Sequence, residues 1–135
     1  MKSAVTSLFV GAALALSAAT ASAQMAPPTE NKGLKVEPMS QYALGQQGLS
    51  DYASRQFRVR RITIEPGGWV AMHSHKDRPG MAFILQGTAT EHRDGAEVRA
   101  YNPGDLISEP TTVNHWVENR TNQPLVIIGI DLAKE

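Results

Sequence analysis

Apolar and β-branched residues run through this chain in short stretches broken by turn residues, and no stretch sustains a 3.6-residue periodicity. Phe57 and Val59 alternate with polar neighbours, as do Ile62 and Ile64, and the slip of phase at Arg60-Arg61 predicts a bulge ahead of a turn at Pro66-Gly67-Gly68. Further strands are predicted over Trp69 to His75, Met81 to Thr90, Glu97 to Tyr101, Leu106 to Ser108, Asn114 to Glu118 and Leu125 to Leu132. Turns are predicted at Arg93-Asp94-Gly95, Asn102-Pro103-Gly104-Asp105 and Asn119-Arg120-Thr121-Asn122, where glycine, proline and short polar side chains cluster. The stretch Gln41 to Asp51 suits a short helix or a loop as well as a strand. Many short strands separated by turns every 8 to 12 residues or so describe an all-β sandwich or barrel. No internal repeat is visible.

The N-terminal pattern is different. Lys2, the apolar run Ala4 to Ala19 and then Ala21-Ser22-Ala23 have the three-part form of a secretory signal. Thr6, Ser7 and Ser17 interrupt the run, which falls short of the roughly 20 strongly apolar residues of a membrane span. Cleavage after Ala23 is expected to leave Gln24 first, so that 112 of the 135 residues remain, with 12 basic against 13 acidic side chains once Lys2 is gone. The expected product is periplasmic or secreted. From Gln24 to about Lys32, Pro27, Pro28 and polar neighbours suggest a flexible lead-in. Near-zero net charge offers no electrostatic reason to bind nucleic acid, or a membrane after signal cleavage. With no cysteine there is neither disulfide nor thiolate, so a bound metal would take nitrogen and oxygen donors.

Those donors are present. Of four histidines, His73, His75 and His115 fall in predicted strands, and His92 precedes the turn at Arg93-Asp94-Gly95. Strand alternation puts His73 and His75 on one face with Cα atoms roughly 7 Å apart, close enough for two imidazoles to converge on one ion. Taken alone, a His-x-His pair is more often two exposed polar residues. The surrounding residues change that reading. They form the block Gly67-x5-His73-x-His75-x4-Gly80-x6-Gly87 and, 16 residues on, Gly104-x5-Pro110-x-Thr112-x2-His115-x3-Asn119. The two blocks resemble the paired motifs of the cupin superfamily, G-x5-H-x-H-x3,4-E-x6-G and G-x5-P-x-G-x2-H-x3-N, over roughly Leu34 to Leu132. HSHKDRP, EHRDG and HWVEN are most similar to small single-domain cupin-2 proteins. The resemblance implies a jelly-roll barrel of two antiparallel sheets over residues 34–135, following a flexible segment 24–33. It also implies one divalent metal (iron, manganese, zinc, copper or nickel) held by His73, His75 and His115 near the barrel mouth.

Two positions depart from the family pattern. Thr112 replaces the glycine of the second motif, which concerns a local turn. Gly80 replaces the carboxylate ligand of the first, so the expected site offers three neutral imidazoles, two or three open positions and an undiminished charge of +2. Such a site favours a small anionic or enolisable molecule. Arg78 and Trp116 are the candidate substrate-binding residues, the first as a bidentate carboxylate partner and the second as a cavity wall, a role Trp69 could share. Glu91 and Glu109 could orient an imidazole or act as a distant fourth ligand, although carboxylates in such places are more often on the surface. His92 is expected to be exposed, and Met72, Met81 and Phe83 to be core or dimer-interface residues. No catalytic acid or base can be assigned. The sequence therefore describes an exported metal-binding cupin that acts on a small molecule, as a dioxygenase or isomerase. The alternative is a non-catalytic module that binds the small molecule or the metal. A homodimer through an exposed sheet is the expected assembly.

Overall fold

A computed structural model describes residues 25–135; the predicted leader at 1–23 lies outside the described residues. Eight strands follow one another: β1 (Lys32–Ala43), β2 (Arg55–Ser74), β3 (Gly80–Gln86), β4 (Ala89–Arg93), β5 (Arg99–Tyr101), β6 (Leu106–Glu109), β7 (Asn114–Glu118) and β8 (Leu125–Lys134). They pair antiparallel in the order β5-β4-β7-β2-β8-β3-β6, with β1 laid against β2, and curl into a nearly closed barrel. The all-β jelly-roll expectation holds. Gln41 to Asp51 resolves into the end of β1 and two single 3-10 turns, Gly45–Gln47 and Ser50–Tyr52. Among the described residues no helix is long and apolar enough to cross a membrane.

The 20-residue β2 organises the barrel because it pairs with β8 over Arg55 to Ile64 and with β7 from Trp69 onward. Pro66-Gly67-Gly68 is accordingly a bend within one strand that passes the chain between layers, and no reversal occurs there. Gly68 has to be glycine, since a Cβ there would stand 2.6 Å from the Lys32 carbonyl oxygen. Asn119 clamps the bend from β7's far end: its amide N–H donates to the Gly68 carbonyl at 2.9 Å and its buried side chain donates to the Ile64 carbonyl at 3.0 Å. The predicted strand Met81 to Thr90 is divided at Gly87, whose φ of 77° turns the chain between β3 and β4.

The expected bulge at Arg60-Arg61 is absent from β2. Its register with β8 runs without a shift from Arg55↔Lys134 to Ile64↔Leu125, and the extra residue is Met39 of β1, between Pro38↔Arg60 and Ser40↔Val59. Arg58, Arg60, Ile62 and Ile64 therefore share the interior face, while Phe57 faces outward and stacks on Tyr42 at 5.6 Å. The phase slip in the sequence records arginines at interior positions.

Cross-strand rows make the interior explicit. Ile64 lies opposite Leu125, and Ile62 opposite Ile127, which in turn faces Ile84. These rows, with Ile107, Ala82, Ala89 and Val117, form the apolar core at one end of the barrel. Towards the other end the next row is Arg60, Gly129, Ala82 and Ile107, and the last is Arg58, Asp131, Gly80 and Glu109. Polarity thus rises along the barrel axis towards a cavity of about 560 Å³. The lead-in to β1 is tied to β2, with the Pro28 carbonyl accepting from the Met72 amide and the Asn31 side chain accepting from the Ala71 amide.

Candidate metal centre

His73 and His75 sit at the end of β2, and His115 pairs with His73 across the ladder to β7. A one-residue shift in β2 between Val70 and His73 keeps Val70 and His73 both facing the cavity. The three Nε2 atoms form a triangle with sides of 3.1, 3.1 and 3.1 Å. Each Nδ1 meets a group that can only accept: the Ala71 carbonyl for His73 (2.8 Å), the Arg78 carbonyl for His75 (3.2 Å) and the Glu91 carboxylate for His115 (2.6 Å). Every Nδ1 therefore carries the proton and every Nε2 presents a lone pair. Three lone pairs at this distance cannot hydrogen-bond to one another and repel unless a cation lies among them. Two imidazole nitrogens about 2.1 Å from one ion and at right angles to each other lie about 3.0 Å apart. The observed triangle fits a divalent ion. These are also the described histidines whose ligand atoms come together as a group able to hold a metal.

Burial keeps the His73 and His75 rings neutral at pH 7. Burial, with help from the Arg78 charge, lowers the His75 pKa to about 4, and burial also lowers that of His73. Glu91 is 1 % exposed. Burial pushes its carboxyl up, but hydrogen bonds from His115 and Arg93 outweigh this and hold it below the ordinary value, so it stays an acceptor. The Tyr101 hydroxyl donates to its other oxygen at 3.0 Å. A pH dependence follows for the metal-free protein. The unfolded chain protonates His75 near its ordinary 6.5 and the folded chain only near 4, so the contribution is whole above pH 6.5 and is lost as pH falls towards 4. Unfolding by urea at pH 7.5, 5.5 and 4 is expected to show a loss of no more than about 3 kcal/mol from His75. Unchanged stability over that window would mean that His75 takes up its proton as readily in the fold as in the unfolded chain.

Beside Gly80 lies a carboxylate from a neighbouring strand, close to the histidines but not one of the three grouped ligands. Gly80 pairs with Glu109 of β6, and the Glu109 side chain reaches to 3.6 Å from His115 Nε2 and 3.7 Å from His75 Nδ1. A Cβ at residue 80 would stand 3.1 Å from Glu109 Oε2, 3.0 Å from Asp131 Cβ and 2.8 Å from the Ile130 carbonyl oxygen. Gly80 makes the room that Glu109 enters. Gly80→Ala is therefore expected to lower stability by about 1–3 kcal/mol through overpacking. A thermal melt unchanged by this substitution would show that the backbone there yields freely.

Arg78 lines the cavity with the histidines and donates through Nη1 to Asp131 Oδ2 at 2.7 Å. Trp116 stands elsewhere. It lies one residue along β7 from His115, 2 % exposed and outside the histidine cavity, where it stacks on His92 with ring centroids 3.7 Å apart and planes 7° from parallel. The expected exposure of His92 is corrected: it is 4 % exposed and bonded to Glu118 at 2.7 Å, because β4 and β7 pair His92 with Trp116 on the face away from the cavity. Trp69 also lies outside the cavity, donating to the Glu30 carbonyl beneath the Lys32 ammonium. Met81 is about half exposed and Met72 borders the cavity. Sequence reasoning passed over Arg58, Arg60 and Asp131. Their signal was the pair of arginines that breaks the apolar alternation and the single acid within LVIIGIDLAK.

The Cupin_2 family model, described as a cupin domain, matches residues 60–131. The chain is 30% identical over 76 residues to the xanthan biosynthesis protein XanB of Xanthomonas campestris pv. campestris, covering 56% of this chain and 16% of that protein. It is 30% identical over 78 residues to the mannose-1-phosphate guanylyltransferase ManC of Salmonella typhimurium, covering 58% and 16%. The chain thus spans about a sixth of the length of these curated relatives. Among solved structures, KdgF from Halomonas sp. superposes with a TM-score of 0.60 at 14% identity, over 78% of this chain and 89% of that one. A cupin-2 domain from Rhodospirillum rubrum gives 0.62 at 18%, over 78% and 63%. At these identities the structural likeness is one of fold. The family match covers over half of the sequence and contains both histidine blocks, so the chain belongs to the Cupin_2 family.

Proposed function

We propose that this protein is an exported metal-binding cupin that binds a small anionic or enolisable molecule in its barrel and oxidises or isomerises it. The convergence of three unprotonated Nε2 atoms at 3.1 Å carries the reading. His73, His75 and His115 would hold the ion, with Glu91 fixing the His115 ring and the Glu109 carboxylate beside them. A divalent ion bound there supplies Lewis-acid polarisation of a ligand oxygen. Ala82, Ile107, Val117 and Ile127 wall the cavity and keep bulk water from a ligand's apolar body. Of the two carboxylates lining it, Asp131 is engaged by three guanidinium groups, which leaves Glu109 to exchange a proton with the bound molecule.

A metal census of the purified protein, followed by oxygen-uptake measurements with small diketones and phenols, tests the proposal. Iron, copper or manganese with oxygen uptake is the outcome for an oxygenase, and bound metal with product but no uptake that for an isomerase. Bound metal without turnover would reduce the reading to a binding module, and absence of metal would overturn it. Export rests on the first 23 residues, and mass spectrometry of protein from its own host is expected to find Gln24 at the N-terminus.

A further inference from the structure

Three guanidinium groups share one carboxylate inside the same cavity. Arg58 donates to both oxygens of Asp131, from Nε to Oδ1 and from Nη2 to Oδ2, each at 2.9 Å. Arg60 Nη2 and Arg78 Nη1 also donate to Oδ2, each at 2.7 Å. Asp131 is 3 % exposed, and the arginine side chains are only 22 to 27% exposed. The charges do not balance: three cations share Asp131, and even with Glu109, whose charge also acts on Arg60 and Arg78, they outnumber the anions by one. Glu109, the other acid on this surface, lies two strands away from Asp131, across Gly80, and towards the histidines. The hydrogen bonds do not balance either. Each guanidinium carries about five N–H donors, yet Arg60 uses one, and its Nε is buried without a partner.

A protein interior tolerates surplus buried charge when a partner arrives to neutralise it, and planar, forked guanidinium groups match a carboxylate. Arg58 and Arg60 stand in the interior positions of β2 where Ile62 and Ile64 continue the same face, and Arg78 reaches Asp131 from the loop before β3. From the unmet donors and the surplus charge, we infer that Arg60 and Arg78 form a carboxylate-binding subsite in the cavity, with Arg58 and Asp131 holding them in place. The inference deepens the proposed function by naming the anion as a small carboxylate. The subsite and the histidine face are ends of one row of strands spaced about 4.8 Å apart. Arg58, Asp131, Gly80 and Glu109 occupy that row, and Glu109 touches the histidines. A short dicarboxylate, hydroxy acid or keto acid spans it, with one carboxylate on the arginines and a second oxygen function towards the imidazoles.

The test is calorimetric titration of acetate, malonate and succinate into the metal-free and the zinc-loaded protein, using the parent, Arg60→Met and Arg78→Met. Methionine keeps most of the buried volume, and Asp131 keeps two partners in either variant. Melting curves and zinc content verify that each variant is folded and that its histidine face is intact. At least one of the three anions is expected to bind the parent, more tightly as a dicarboxylate with zinc present, and each variant is expected to weaken it by about tenfold or more with zinc content unchanged. Carboxylate binding that depends on Arg60 and Arg78 in a protein that takes no zinc would keep the subsite and overturn the metal reading. The inference is overturned if no probe binds the parent at millimolar concentration, or if both variants bind as the parent does.

Discussion

Replacing His75 or His115 by alanine is expected to remove stoichiometric metal from the protein, with affinity falling by more than about 100-fold in either case. The ligand atoms come from rings 1 % and 0 % exposed, held where the barrel places them. Losing one of three convergent imidazoles also removes a donor whose tautomer the fold has already set. Glu91→Gln should cost less, about 10- to 100-fold, because the amide oxygen still accepts from His115 Nδ1 but the negative charge that strengthens the ring as a donor is gone. His92→Ala should behave in the opposite way: it loses the stack on Trp116 and the bond to Glu118, so the protein melts earlier yet holds metal as before. Thermal denaturation gives a second readout, since a metal at 1,000 times its dissociation constant stabilises the folded state by about 4 kcal/mol. That shift should be present in the parent and in His92→Ala and absent in His115→Ala. Metal retained by the His75 and His115 variants would disprove the assignment.

Asp131→Ala is expected to be the most damaging single change to the fold, costing about 3–5 kcal/mol. Burial pushes the Asp131 carboxyl up, but hydrogen bonds from Arg58 and Arg78 prevail and hold it below its ordinary value, so it is an anion at neutral pH. Removing it leaves three partly buried guanidiniums repelling one another, two on β2 and one in the loop between β2 and β3. Arg60 would suffer most, since burial already lowers its pKa and Asp131 is the largest opposing influence. The midpoint of urea unfolding should fall with little change in slope. If the arginines receive carboxylates, succinate should restore part of the loss in Asp131→Ala. A loss below about 1 kcal/mol, the range of exposed ion pairs, would mean that water rather than Asp131 satisfies these groups.

The determinants of the fold class were local and so were legible. Most short β-branched stretches and turn clusters fall where the strands and loops are, Pro66-Gly67-Gly68 inside β2 being an exception, and alternation correctly put His73 and His75 on one face. The spacing of the two histidine blocks pointed to His115 as their companion, and the register His73↔His115 now brings it there. What failed was reading the slip of phase at Arg60-Arg61 as a bulge. Arg58 and Arg60 follow the interior phase of Ile62 and Ile64, and a sequence pattern cannot distinguish an outward charge from an inward one whose counter-ion lies 73 residues away on another strand.

The same limit applies at the site. Strand alternation placed His73 and His75 on one face, and His115 joined them through the motif spacing of the resemblance. Which partner each side chain meets depends on strand order and register, and those arise only when β2, β3, β6, β7 and β8 close on one another. Tertiary structure alone decided that Glu109 enters the space left by Gly80, that His92 is buried against Trp116, and that Arg78 faces Asp131. Each of these contacts joins residues on different segments of the chain, through cross-strand distances of a few ångströms that one strand's pattern does not encode.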